Sequence, residues 1–316
     1  MIAVLDPAPS VVRGPADLLT TIPYLLGYHP TDSVVVMFVA GDGRLVCGLS
    51  VGREAPDEFI ITKSSIAAAR ADCSHAFVVG YGPLSDRERI GGIVDALNLA
   101  VTVAARLLVD AGRYYCLTDG CPCTPEHGAV LDPSSNVIAA EMTLRGNVAL
   151  PSRDDFAAFV EPDPDAQART AAALKLMSAH LPDAVAVVNA SLDIASAGGR
   201  LSDEQAARLA VALIDDDGRS TAWRATTGED WQHDLWLDMA RRVPCDYVAT
   251  PANLAAWSAW RRREPALAGA ALSHAVHAEP DNTMSHLIDV VLTSGINPAT
   301  LPWPLKDGSD LEGLLP

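Results

Sequence analysis

The densest group of reactive side chains is Cys116-Leu-Thr-Asp-Gly-Cys121-Pro-Cys123-Thr-Pro-Glu-His127. Thiolate and imidazole are the ligands that Zn²⁺ prefers, so three thiols and one imidazole in so short a stretch could form a tetrahedral Cys₃His zinc site. Zinc is the cofactor to which these residues point. The spacing differs from that of a zinc knuckle, which favours two residues between cysteines. Gly120 and Pro122 supply the turns a tight ligand loop needs. Two other readings fit the same residues: a redox disulfide from Cys116 to Cys121 or Cys123, and an inert set of reduced thiols.

A second group is Gly27-Tyr28-His29-Pro30-Thr31-Asp32-Ser33. His29, Asp32 and Ser33 are the candidate catalytic residues, with His29 as the acid/base. Tyr81 and Glu141 are candidate ligand-binding neighbours. Adjacent residues on one loop cannot align as a triad, so the alternative is a structural turn in which Asp32 or Ser33 bonds backbone amides. Gly48-Leu-Ser50-Val-Gly52 matches the G-x-S-x-G nucleophile elbow, but no helix follows at once and no His/Asp pair completes it. His274 and His277 lie one helical turn apart, with His286 and Asp289 beyond, and no third ligand is fixed. Asp215-Asp216-Asp217-Gly218 lacks the closing Glu of a calcium loop and reads as a solvated turn.

The elements that position these residues follow from periodicity. After a loose start, residues 17–27 read as a short helix capped by Gly27. SVVVMFV (33–39) reads as a strand buried on both faces, and residues 44–51 return as its hairpin partner. A helix over 56–71, a strand over 75–81, a long helix over 86–109 and a strand over 113–117 follow. This alternation predicts βαβ units and a partly parallel sheet covered on both faces. Helices are then expected at 135–145, 153–159, 166–180, 202–214, 229–242, 250–262, 265–278 and 283–292, with EPDPD (161–165) as the linker. In 255–282, the small residues Ala256, Ala268 and Ala275 recur where two antiparallel helices would touch. Pro280 ends the second helix at the spacing of a tetratricopeptide (TPR) repeat. The expected fold is therefore an α/β N-terminal domain (1–160) with a mixed, covered sheet, followed by an all-α C-terminal domain (161–316) with one TPR-like hairpin.

Composition narrows the partners. A formal charge of −17 opposes binding to nucleic acid, which needs a basic stripe to displace counterions, and to an anionic membrane surface. The N-terminal stretch has no basic region followed by an apolar core, and no helix candidate is apolar enough to span a bilayer, so the expected location is the cytoplasm. No complete catalytic set stands out. The first functional expectation is thus a non-enzymatic binding or regulatory protein that contacts a protein partner or a second copy of itself, with the cysteine loop as a staple. The alternative is an enzyme or small-ligand binder with a pocket at the sheet edge near GYHPTDS. Hydrolase chemistry asks least beyond the residues named.

Three blocks, ADLLTTIPYLLGYHPTDSVVVM, RYYCLTDGCPCTPEHG and AAEMTLRGNVALPSRDDF, follow one another in an order that resembles an actinobacterial family, domain of unknown function 4192. The resemblance runs from about residue 13 to about residue 295. It implies an actinobacterial or actinophage origin, and it makes the HPTDS loop and the cysteine segment family features. It brings no activity with it. Members carry two adjacent cysteines followed by Pro-Pro-Glu-Gly where this chain has Cys121-Pro-Cys123-Thr-Pro-Glu-His127-Gly, so the resemblance does not make His127 a ligand.

Overall fold

Ser33–Val39 is an almost unbroken apolar strand and is buried along its whole length, as a strand without polar alternation must be. This strand, β2, lies between β3 (Leu45–Gly52) and β4 (His75–Tyr81), and both are antiparallel to it. β1 (Ile2–Val4) pairs outside β3. On the other side come β5 (Thr102–Asp110), β6 (Arg113–Cys116) and β7 (Ala129–Val130), giving a sheet of order β1-β3-β2-β4-β5-β6-β7. Among the described strands of the sheet, only β4 and β5 run parallel; the sheet is mixed, as expected. The computed structural model describes residues 2–4, 13–43, 45–70, 73–132, 136–144, 148–177, 183–293 and 296–305.

Two helices cover one face of the sheet: α2 (Asp57–Arg70) and α3 (Arg87–Leu97) pack Ile60, Ile90, Ile93 and Leu97 onto Val34, Val36, Phe38, Leu49 and Val78. Strand alternation then points Ser33, Val35, Met37, Ser50, Val79 and Tyr81 to the opposite face. The helix α1 (Pro15–Leu26) buries Leu18, Leu19, Ile22 and Leu26 and ends at Gly27, whose φ of 80° is the left-handed cap. Tyr28, one residue further on, reaches Ser50 on the second face. Packed against α1 is α4 (Val137–Leu144), and Asn136 donates to Asp17 at its start (3.0 Å). β3, β4 and β5 share one direction, so their carboxyl ends and the start of β2 lie at the same edge.

The structure corrects several local expectations. The predicted long helix over 86–109 is two elements, α3 and β5. The helix stops at Asn98, whose side chain accepts the Val103 amide (2.9 Å), and the β-branched run Val101-Thr102-Val103 enters the sheet instead. The expected loose start holds a strand at Ile2–Val4, and β7 was not anticipated. Residues 71, 135, 145 and 178–180 of the expected helices lie outside the described residues, as does Arg44 of the expected second strand.

The chain divides into two compact units, Met1–Asp155 with Thr293–Ile296, and Phe156–Leu292 with Asn297–Pro316. The second is helical: α5 (Ala157–Val160), α6 (Pro164–Leu176), α7 (Ala184–Ser196), α8 (Asp203–Ala212), α9 (Asp216–Ala225), α10 (Asp230–Arg242), α11 (Ala249–Arg261), α12 (Pro265–Ala278) and α13 (Thr283–Thr293). Sequence periodicity missed both α7 and α9. Asp215-Asp216-Asp217-Gly218 is no free turn: Asp215 caps α9 by accepting from the amides of Asp217 and Gly218. α11 and α12 form the expected hairpin, with Ala256, Ala268 and Ala275 fully buried. Tryptophans anchor this unit. The Trp257 ring lies 5.6 Å from Trp223, 5.0 Å from Trp260 and 4.5 Å from Trp303.

Candidate functional site

Cys116 is the last residue of β6 and pairs with Leu107 of β5. The next amide, Leu117, still bonds to β5 through Arg106 O (2.9 Å), so the Cys116 amide points away from β5. It donates to Thr124 Oγ1 (3.0 Å), which ties the returning leg of the loop to the strand it left. Gly120 (φ 70°) and Gly128 (φ 75°) make the two left-handed bends. The loop closes as Arg113 donates to the carbonyls of His127 (3.3 Å) and Gly128 (2.9 Å).

This folding brings the sulfurs of Cys116, Cys121 and Cys123 within 4.8 Å of one another. Among the described residues no other set of three or more histidine, cysteine or acidic side chains converges in this way. Cys121 and Cys123 are 3.0 Å apart, sulfur to sulfur. Hydrogen bonds from Cys123 and Cys116 hold the Cys121 thiol below its ordinary range, while Cys123 is pushed up to about 12 by the Cys121 contact and by burial. Neighbouring thiols that favour the Cys121 thiolate favour the form in which cysteine binds a soft cation. Three thiolates on tetrahedral zinc, at about 2.3 Å each, stand roughly 3.8 Å apart, so the trio fits the ion with small shifts. The exposed His127 is not in the set; its main-chain carbonyl, not its ring, is engaged. The thiols are half-buried (Cys116, Cys121) or exposed (Cys123), so a zinc ion held by them would take its fourth ligand from water or from another molecule.

The GYHPTDS loop is held by its backbone. His29 N donates to Leu150 O (2.9 Å), Leu150 N to Gly27 O (2.7 Å) and Arg53 N to Asp32 O (2.7 Å). Asp32 takes a left-handed φ of 40°, an uncommon conformation that aspartate tolerates better than most side chains. His29 and Asp32 are exposed, whereas Ser33 is buried. Tyr81 is buried on β4 directly opposite Ser33. Glu141 is half-buried on α4. The sequence did not single out Tyr28, which donates to Ser50 (2.7 Å) in a buried contact. The available clue was alternation: Ser50 is a hydroxyl at an inward position of an apolar strand.

A family model matches residues 15–299, nearly the whole chain. The chain belongs to the DUF4192 family, "Domain of unknown function". No curated protein and no solved structure matches it. The span that identifies it as DUF4192 includes both the cysteine loop and the GYHPTDS segment.

The remaining motifs of this DUF4192 chain form no further metal-ligand set among the described residues. Ser50 sits inside β3 with strand on either side, so no nucleophile elbow exists. His274 lies on α12, half-buried, and burial lowers its pKa. His277, His286 and Asp289 do not join it in a ligand set. At the carboxyl edge of the sheet, Arg53 forms a two-pronged ion pair with Asp86. Arg89 binds Asp57 (2.7 Å) and the carbonyls of Arg53 (2.7 Å) and Ala55 (2.8 Å). These arginines fix the β3–α2 loop to α3. No described helix is long and apolar enough to cross a membrane.

Proposed function

We propose that the protein is a non-enzymatic binding protein that works with a protein partner or a second copy of itself, and that zinc on Cys116, Cys121 and Cys123 staples its α/β unit. One observation carries the reading: three thiol sulfurs from one loop lie within 4.8 Å of one another. Such a soft, borderline-charged set suits zinc and offers nothing to Mg²⁺ or Ca²⁺, which require oxygen ligands. All six cysteines are free, which agrees with a reducing, cytoplasmic setting. The charge of −17 supports a protein partner over nucleic acid. The α11–α12 hairpin supplies a pair of helices of the kind that protein-binding repeats use. The family resemblance supports an actinobacterial or actinophage source.

The test compares the native mass of protein purified without chelator with its denatured, thiol-alkylated mass. The proposal expects one zinc per chain and three thiols protected until a chelator is added. A bare native mass with all thiols reacting at once would overturn the metal reading. A monomer at every concentration, with no partner retained, would overturn the interaction reading.

A further inference from the structure

On the face of the sheet opposite α2 and α3, four hydroxyl groups gather at the edge where β3, β4 and β5 end. Tyr28 donates to Ser50 at 2.7 Å. Ser33 and Tyr81 are directly paired across β2 and β4, so their side chains leave the sheet on the same face, with Cβ atoms about 5 Å apart. Ser33 is 6 % exposed and Tyr81 7 %, and neither hydroxyl has a hydrogen-bond partner among the described residues. Native proteins seldom leave buried hydroxyls unpartnered, because each loses its hydration without replacement. A well-packed apolar sheet would carry Val and Phe at such positions, as β2 and β4 do elsewhere.

We propose that Tyr28, Ser33, Ser50 and Tyr81 line a binding site for a small carboxylate. The donors decide the class of ligand. Ser33 and Tyr81 each have an O–H to give, and Ser50 accepts from Tyr28 and donates to no described group. A carboxylate accepts only and has about four lone-pair sites, so three convergent donors match it better than they match another hydroxyl compound. Burial raises the pKa of both tyrosines, which therefore stay protonated and able to donate, and the cation Arg153 acts on Tyr28. The position fits as well: in sheets with parallel strands, ligands bind beyond the carboxyl ends of those strands.

The site is independent of the cysteines, and its test is separable from theirs. Thermal unfolding is followed with acetate, propionate or benzoate at millimolar concentration, with glycerol and choline as neutral and cationic controls. Ligands that bind only the folded chain raise Tm, so the carboxylates are expected to raise it by a few degrees and the controls not to. Tyr81→Phe and Ser33→Ala are each expected to abolish the rise while keeping a cooperative transition, and Cys121→Ser to leave the rise intact. A rise that survives both hydroxyl deletions, or one given by glycerol and by no carboxylate, would overturn the proposal. So would a Tyr81→Phe variant that is more stable than wild type while wild type ignores every carboxylate, because the hydroxyl would then be only an unmet polar group. If neither variant folds, carboxyl-¹³C acetate observed by NMR against wild type decides alone: line broadening at millimolar acetate supports the site, and an unbroadened line removes it.

Discussion

Single side chains set the chemistry of this molecule through what surrounds them. Cys121 is made acidic by two neighbouring thiols, and Cys123 pays for that by holding its proton more tightly. Replacing any one of the three sulfurs should abolish zinc retention, because two thiolates without a third rarely hold the ion against a chelator. Cys123→Ser is therefore expected to give protein without zinc, and His127→Ala protein with a full complement, both measured by elemental analysis after gel filtration. Arg242 shows a different use of charge. It is 3 % exposed and pairs with Asp203 and Asp238 while donating to the Leu201 carbonyl (2.8 Å). A buried guanidinium is tolerated here because two carboxylates and a carbonyl replace the water it loses.

At the scale of elements, close approach between helices imposes sequence. Gly218 opens α9 where an added Cβ would sit 2.1 Å from the Ala212 carbonyl oxygen at the end of α8. No rotamer relieves a backbone clash, so Gly218→Ala should destabilise the helical unit by about 3 kcal/mol, read from urea unfolding monitored by tryptophan fluorescence. The sequence carried part of this organisation. The SVVVMFV run, the capping Gly27 and the alanines of the α11–α12 hairpin have patterns that only one type of element satisfies. Residues 98–109 were misread because an alanine- and leucine-rich strand has the composition of a helix, and Asn98 breaks the helix through a side-chain bond that composition does not reveal. α7 escaped notice because Val185, Val187 and Val188 are poor helix formers, held in a helix by packing against α8 and α9. For the candidate site, the three cysteines were legible as a cluster. The link between Tyr28 and Ser50 was not, because it joins residues whose adjacency depends on strand register.

The whole molecule combines two units with different responses to acid. In the helical unit, burial holds the pKa of both His233 and His274 below the ordinary imidazole range. The unfolded chain then takes up protons that the folded unit refuses, so this contribution to stability is complete above about pH 6.5 and is lost as pH falls through the lower folded values. In the α/β unit, hydrogen bonds from Arg53 hold Asp86 below the usual carboxylate range. That contribution is present above about pH 4 and is lost only as pH falls below it. Urea titrations at pH 8, 5.5 and 3.5 should show the transition read by tryptophan fluorescence, whose reporters all lie in the helical unit, weakening before hydrogen-exchange protection of the β2 and β4 amides does. The loop that carries the cysteines also closes the edge of that sheet. β7 is two residues long, and next to it Thr124 occupies the outward amide of Cys116 while Arg113 gathers the carbonyls of His127 and Gly128. A β-sheet ending in unoccupied amides invites the strand of another molecule. Thr124→Val removes the acceptor at little cost in volume, and light scattering should then rise with protein concentration. The segment that gathers thiols is thus also what keeps one copy of this sheet from extending into the next.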